Sequence, residues 1–215
     1  MADSPPPSEN QRLDLRFLRD DGHLSDSLGR LVAGAVPPLL PTMTGTLVLA
    51  VLMVAGLAQL PGITLFAPAA ALLLSGVASG HPHDGRFDWM VPPVLRATEY
   101  LYLLALGLGS GVPGPLVFVL LAAVVLHHGD VAHRVRCGAP KPVWAMRAMF
   151  GWDGRMLLIA ASGVLGWLPF GYGLLAGYLG VLLVWESATG WLATPVGTGT
   201  DVPRIEDGGA NASVT

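Results

Sequence analysis

Residues 42–59 read TMTGTLVLAVLMVAGLAQ, a stretch of eighteen residues without a charged side chain. A helix of about 17 to 25 mainly apolar residues is long enough to cross the hydrocarbon core of a bilayer. Pro41 precedes the stretch and Pro61-Gly62 follows it, so turn-forming residues bound it on both sides. The stretch therefore predicts a membrane-crossing helix.

The whole chain is strongly apolar, and further apolar segments follow the first one. Of its 215 residues, 52% are hydrophobic and 13% are charged, and the mean hydropathy is +0.56, well outside the balance of a soluble domain. Five further apolar segments follow, at 63–79, 91–109, 114–128, 155–169 and 172–191. The predicted fold class is all-α, a polytopic membrane bundle of six transmembrane helices. The segment PVWAMRAMFG (142–151) predicts an additional short interfacial helix on the cytoplasmic side.

Three regions follow from this reading. Residues 1–30 form an N-terminal arm, residues 31–192 the six-helix domain, and residues 193–215 a tail of small and turn-forming residues that predicts disorder. The apolar residues at 13, 15, 17 and 18 would let part of the arm lie along the membrane interface; the alternative is a solvated tail.

The charges indicate an orientation. The three short turns at 61–62, 111–115 and 169–173 contain no Lys, Arg, Asp, Glu or His, whereas the arginines before the first span and between the fourth and fifth spans lie on the opposite side. The positive-inside rule then places both termini on the cytoplasmic side of the cell membrane. No run of Lys and Arg interleaved with aromatics suggests nucleic-acid binding.

The connection GHPHDGRFDWMVPPVLRATEY (80–100) carries the first polar cluster. Asp84 and Asp88 are four residues apart, so a helical conformation would place both carboxylates on one face, where Mg²⁺ or Mn²⁺ could bridge them. The alternative is a hydrophilic turn in which Asp84 closes an Asx-turn over Gly85. Arg86 lies between the two acids as a candidate phosphate ligand.

Arg96 and Glu99 lie inside the third span. Ionisable groups at such depth are costly, and they normally pair, face the bundle interior or line a wet cavity. A structural pair at i,i+3 would satisfy both side chains. Glu186, near the end of the sixth span, is a second acid of this kind.

Two further stretches lie at predicted helix ends. On a helix that continues through HHGDVAHR (127–134), His127, Asp130 and Arg134 share a face. In GWDGRMLL (151–158), Asp153 is placed to cap the fifth helix, with Arg155 in its first turn.

Together these residues suit metal-assisted chemistry on a phosphate. Carboxylates hold Mg²⁺ or Mn²⁺, and arginines clamp phosphate. The expected ligand is a phosphate-bearing lipid or a nucleotide diphosphate-alcohol. The candidate catalytic acids are Asp84, Asp88, Asp130 and Asp153, with Asp84 and Asp88 as metal ligands. The candidate substrate-binding residues are Arg86, Arg96, Glu99, His127, Arg134, Arg155 and Glu186.

The spacing Gly80-x3-Asp84-x3-Asp88 resembles the second half of the CDP-alcohol phosphatidyltransferase signature, D-x2-D-G-x2-A-R-x8-G-x3-D-x3-D. The resemblance implies a magnesium-dependent transferase with Asp88 as base and Asp84 as metal ligand. In the first half of the signature only Ala70 agrees; the family's first two aspartates would fall on Phe66 and Ile63. Two metal-binding acids of the family are therefore missing.

A fuller resemblance, from about residue 20 to 191, is to an uncharacterised actinobacterial membrane domain. The blocks HPHDGRFDWMVPPVLRATEY, HHGDVAHR and GWDGRMLL are similar to its recurring segments. That domain often accompanies nucleotidyltransferase and CDP-alcohol phosphatidyltransferase modules, which implies phospholipid or polyprenyl-phosphate metabolism as a context.

Two main hypotheses follow: a metal-dependent lipid transferase, or a non-catalytic membrane module that binds a lipid head group or a partner enzyme. The histidines at 81, 83, 127, 128 and 133 leave a metal oxidase open, and Arg96 with Glu99 leaves a small transporter open. The small residues Gly173, Gly177 and Gly180 predict close helix packing within the chain or a homodimer face.

Overall fold

The fold is all-helical over residues 18–58, 62–81, 85–137 and 143–193, which are the residues that this computed structural model describes. This confirms the all-α class. The helices are α1 (His23–Leu31), α2 (Leu39–Ala58), α3 (Ala67–Ser75), α4 (Val91–Gly109), α5 (Gly114–Arg136), α6 (Val143–Ala148), α7 (Gly151–Val164) and α8 (Leu168–Ala193). Short 3₁₀ segments lie at Ile63–Phe66, Gly76–Ala78 and Asp88–Met90. Helix α6 is the predicted short helix.

Three of the helices are long and apolar enough to cross a membrane: α2 over Leu39–Gly56, α5 over Gly114–Arg136 and α8 over Leu168–Thr189. The other predicted spans form helices near their expected places. The apolar region Ile63–Ala78 is shorter, and α7 has only 14 residues. The structure therefore supports membrane association through three helices, and a six-span bundle stays a prediction.

Helices α4 and α7 end in the same way. Gly111 after α4 and Gly166 after α7 have φ angles of 74° and 75°, a left-handed conformation that glycine adopts without steric cost. The next residue, Val112 or Trp167, donates its N–H to the carbonyl five residues earlier, at 2.9 and 2.8 Å. This Schellman geometry satisfies the last carbonyls of each helix and reverses the chain.

The reversal between α7 and α8 corrects the predicted boundary. The turn was expected at 169–173, but it lies between Val164 and Leu168. Pro169 marks the start of α8 and not the turn, because a proline in the first helical turn gives up no intrahelical hydrogen bond. The signal that ends α7 is Gly166.

Helix α4 is central to the bundle, since it packs against α2, α5 and α7. Its residues Tyr102 and Leu103 are fully buried. The Tyr172 hydroxyl of α8 donates to the Leu103 carbonyl at 2.6 Å, and Trp152 of α7 is buried in the same core. The polar residues of α4 are thereby held between the neighbouring helices.

The N-terminal segment from residue 18 is part of this packing. Helix α1 lies against the Gly76–Ala78 segment and against α7. Arg19 is only 1% exposed, and its guanidinium donates to the carbonyls of Ser75 and Ala78 at 3.1 and 3.3 Å. Residues 18–31 therefore contact the helices directly; residues 1–17 lie outside the described residues.

The predicted glycine contacts on α8 are only partly present. A methyl group added to Gly173 would lie 3.7 Å from the Leu116 side chain, but one added to Gly177 or Gly180 would meet no atom within 4 Å among the described residues. Intramolecular packing at Gly177 and Gly180 is therefore not observed.

A glycine at the start of α7 offers a test of this docking. Gly151 has φ 68°, and a methyl group there would overlap the Gly22 backbone and the Asp20 carbonyl oxygen. Gly111 has φ 74° but open space around it. Gly151→Ala and Gly111→Ala should each introduce roughly 1–2 kcal/mol of backbone strain. Gly151→Ala should destabilise the protein in detergent by more than this, because its methyl group also overlaps the N-terminal segment. Thermal unfolding measures the difference, and equal melting temperatures for Gly151→Ala and Gly111→Ala would contradict it.

Candidate functional site

A guanidinium lies at the centre of the polar core. Arg155 of α7 is 0% exposed. Its Nε and Nη2 donate to the two carboxylate oxygens of Glu99 at 2.5 and 2.9 Å, a bidentate geometry that fits the planar fork of arginine. Nη1 donates to the Met149 carbonyl at 3.0 Å. Glu99 therefore pairs with Arg155, and the proposed Arg96/Glu99 pair is not the principal contact of Glu99.

Asp20 from the N-terminal segment is the second carboxylate of this core. Its Oδ2 accepts from Arg155 Nη2 at 2.6 Å, and its two oxygens lie 3.2 Å from His127 Nε2 and 3.1 Å from His128 Nε2. Asp20 has φ 54°, a conformation uncommon outside glycine. We call Asp20, Glu99, His127, His128 and Arg155 the buried network.

The electrostatics of Asp20 follow from these contacts. Burial by itself would raise the pKa of Asp20, but the charge of Arg155 and the hydrogen bonds from His127 and His128 hold that pKa well below its usual range. Asp20 is therefore an ionised partner of Arg155 in a site shielded from water.

His128 extends the network to a tyrosine on α4. The Tyr100 hydroxyl lies 2.6 Å from His128 Nδ1. His128 Nε2 lies 3.1 Å from an Asp20 oxygen and 3.3 Å from Arg155 Nη2. We assign the Nε2–H tautomer to His128, because the contact with the Asp20 acceptor is the shorter one and the tautomer is set by such contacts. Tyr100 then donates to Nδ1. Tyr100 is partly exposed, whereas His128 is 3% exposed.

Asp153 does not cap its own helix. Helix α7 has no side-chain cap at its N-terminus. Instead, the Asp153 oxygens accept from the backbone N–H groups of Gly22 and Ser25 at 2.7 and 2.9 Å, so Asp153 caps α1 across the interface. In return, the backbone N–H of Trp152 donates to the Asp20 carbonyl oxygen at 3.0 Å. The prediction that Asp153 caps its own helix is therefore wrong. Both Asp153 oxygens bind backbone N–H groups of α1 instead.

Arg96 lies beside the buried network, at the surface of α4. Its Nη2 donates to the Leu18 carbonyl at 3.0 Å. Its buried Nε has no hydrogen-bond partner among the described residues. The guanidinium is part-buried and interacts electrostatically with Tyr100, Asp20 and Glu99. Arg96 is thus a cation with unused donor capacity.

The residues just before α4 include two exposed aromatic side chains, Phe87 and Trp89. The Arg86 guanidinium lies 5.3 Å from the centre of the Phe87 ring, and Trp89 is 61% exposed. Asp88 is buried and accepts the Gly85 N–H at 3.0 Å. Asp84 lies outside the described residues. We call these residues before the helix, Arg86, Asp88 and Trp89, together with Arg96 in the second turn of α4, the α4 entrance.

The remaining predicted residues lie between α5 and α8. Arg134 Nε donates to both oxygens of Asp130 at 3.1 Å, which confirms that the two residues share a helix face. Asp130, Arg134 and Glu186 line a cleft of about 220 Å³. The described sequence-predicted residues are therefore divided between the buried network, the α4 entrance and this α5/α8 cleft, apart from Asp153, which caps α1.

A metal site is not completed by the described residues. Among them, no group of three or more His, Cys, Asp and Glu side chains is arranged to hold a metal ion. Of the two predicted ligands, only Asp88 is described, and one of its oxygens accepts the Gly85 N–H. A magnesium site at this position would need Asp84 and further oxygen ligands.

The fold and the polar core define a helical protein with three described helices that are long and apolar enough to cross a membrane and with a buried network of charged residues. The chain belongs to the family of unknown function DUF5941, which it matches over residues 9–212. Comparison with curated proteins found no match, and comparison with solved structures found none. The expectation of an uncharacterised domain is confirmed.

Sequence reasoning did not identify Asp20 or Tyr100, and it considered His128 only as a metal ligand. Asp20 lies in the polar run RDDG (19–22), which was assigned to the arm. The available signal was the pair His127-His128 on an apolar helix, because two inward-facing histidines require polar partners. Their partner Asp20 is more than 100 residues away in the chain.

Removing one partner of the central pair should be costly. Glu99→Gln replaces one oxygen of the bidentate carboxylate with an NH₂ group that faces an Arg155 donor in a buried site, so we expect a loss of roughly 3–5 kcal/mol in stability. Arg134→Gln is the matched control: its pair with Asp130 is about one-third exposed, and its loss should cost at most about 1 kcal/mol. Thermal unfolding in detergent checks both. Similar losses in the two variants would show that the buried network is not the stabilising core.

Proposed function

We propose that the chain binds the phosphate-bearing head group of a membrane lipid at the α4 entrance. Arg96 carries this proposal, because it is a part-buried cation at the surface whose Nε lacks a partner among the described residues. Arginine donors bind phosphate oxygens strongly. Arg96 lies five residues after the start of α4, roughly 8 Å along the helix, a depth from which its side chain can reach the head-group level.

The neighbouring residues support this location. Trp89 and Phe87 are exposed aromatics immediately before α4, and exposed aromatics are enriched at membrane interfaces. Arg86 stacks on Phe87 and adds a second cation near the same helix end. Binding alone would let the chain hold such a lipid for a partner enzyme.

Arg96→Gln tests the binding. We expect phosphatidylglycerol to remain bound to the detergent-solubilised wild type, and its affinity to fall about tenfold in Arg96→Gln, since one charge-assisted contact of about 1.5 kcal/mol is lost. Native mass spectrometry with added lipid measures retention. Arg134→Gln should bind as the wild type does. Equal retention of diacylglycerol, which lacks phosphate, or unchanged binding in Arg96→Gln would contradict head-group recognition.

Metal-dependent phosphatidyl transfer is the second candidate. It is favoured by the fixed position of Asp88 at the same entrance together with the spacing Gly80-x3-Asp84-x3-Asp88. Asp84 and Asp88 would hold Mg²⁺ or Mn²⁺, and the metal would neutralise a leaving phosphate. The substrate class would be a nucleotide diphosphate-alcohol.

If this candidate is correct, purified protein should release CMP from CDP-diacylglycerol plus an alcohol acceptor only when Mg²⁺ or Mn²⁺ is present. Asp84→Asn and Asp88→Asn should each abolish release without changing folded yield. Asp130→Asn, in the α5/α8 cleft, serves as the control. Metal-independent release, or full release in both entrance variants, would rule the candidate out.

A further inference from the structure

Three side chains form a continuous hydrogen-bonded chain from the surface of α4 to the buried network. The Tyr100 hydroxyl lies 2.6 Å from His128 Nδ1, and His128 Nε2 lies 3.1 Å from Asp20 Oδ2. The order is a hydroxyl, a base and a carboxylate that orients the base. This is the arrangement by which a weak nucleophile is activated in covalent catalysis.

Tyr100 lies outside the charged part of the buried network. Arg155 is already bound by Glu99, Asp20 and the Met149 carbonyl. Tyr100 adds no charge to that set, and unlike its partners it is partly exposed. It is therefore the one member of the hydrogen-bonded chain Tyr100–His128–Asp20 that a ligand can reach.

Tyr100 also has a cation within reach on its own helix. Arg96 and Tyr100 are spaced at i,i+4, so their side chains are neighbours on one face of α4. A phosphate bound by the Arg96 guanidinium would lie next to the Tyr100 oxygen. The electrophilic phosphorus and the activated hydroxyl would then share one site.

We propose that Tyr100 is a nucleophile, activated by His128, that attacks the phosphorus of a lipid diphosphate bound at Arg96. The Tyr100 oxygen forms a bond to phosphorus while the P–O bond to the leaving phosphate breaks, and the phenol proton passes to His128 Nδ1 and then to the leaving oxygen. Asp20 is a positioning residue that stabilises the imidazolium formed in between. This inference rests on the proposed binding of a lipid phosphate at the α4 entrance.

A sulfonyl fluoride tests the nucleophile without knowledge of the natural substrate. Toluene-4-sulfonyl fluoride forms an S–O bond with a tyrosine and releases fluoride, and a neighbouring base that takes the proton accelerates the reaction. The chain contains four tyrosines. Tyr102 and Tyr172 are fully buried, and Tyr178 is 38% exposed with its hydroxyl on the Ala148 carbonyl at 2.9 Å. Tyr178 is therefore an internal reference without a base.

The expected result is the reverse of what exposure predicts. Tyr100 should be modified at least about tenfold faster than the more exposed Tyr178, because general-base assistance contributes ~10²-fold or more. Peptide mapping by mass spectrometry gives both rates in one wild-type sample. Labelling of Tyr100 at or below the Tyr178 rate would overturn the proposal, and this comparison needs no variant.

His128→Asn separates activation from structure. The asparagine oxygen can still accept from Tyr100, but it cannot take up the proton at neutral pH. Labelling of Tyr100 should fall to about the Tyr178 rate in protein that thermal unfolding shows to be folded, although the lost contact with Asp20 lowers the melting temperature. A folded His128→Asn protein that retains fast labelling would overturn the role of His128. Slow Tyr100 labelling together with intact Arg96-dependent lipid retention would refute this inference and leave head-group binding standing.

Discussion

The ion pair between Arg155 and its two carboxylates is the constraint on which the rest of the structure depends. A fully buried guanidinium loses several kcal/mol of hydration, and it is tolerated only when charged partners surround it. Glu99 supplies one charge from α4, and Asp20 supplies the other from the N-terminal segment. Because the second partner comes from outside the apolar helices, the segment around Asp20 must pack inside the protein.

The helices themselves were largely predictable, because apolar length and turn residues are local properties. The spans at 42–59 and 91–109 agree with α2 and α4 within a few residues. The error at 169–173 has a physical reason: Pro169 is compatible with both a turn and a first helical turn, and only the left-handed Gly166 distinguishes them.

The pairing of polar residues was not predictable, because it depends on distant parts of the chain. Glu99 had a plausible partner three residues away in Arg96, yet it binds Arg155, 56 residues further on, in a bidentate geometry. Asp153 had the position of a local cap, yet it caps α1 across 131 residues. In both cases the nearest candidate in sequence was replaced by one that packing brought closer.

The same network holds His128 between a carboxylate and a hydroxyl group. The carboxylates of Asp20 and Glu99 face the Arg155 guanidinium inside the core and the Arg96 guanidinium beside it. His128 is the base that contacts Asp20 and also reaches a partly exposed hydroxyl. The constraint that fixes the N-terminal segment thus also places the Asp20 carboxylate against His128, and the proposed activation of Tyr100 depends on that contact.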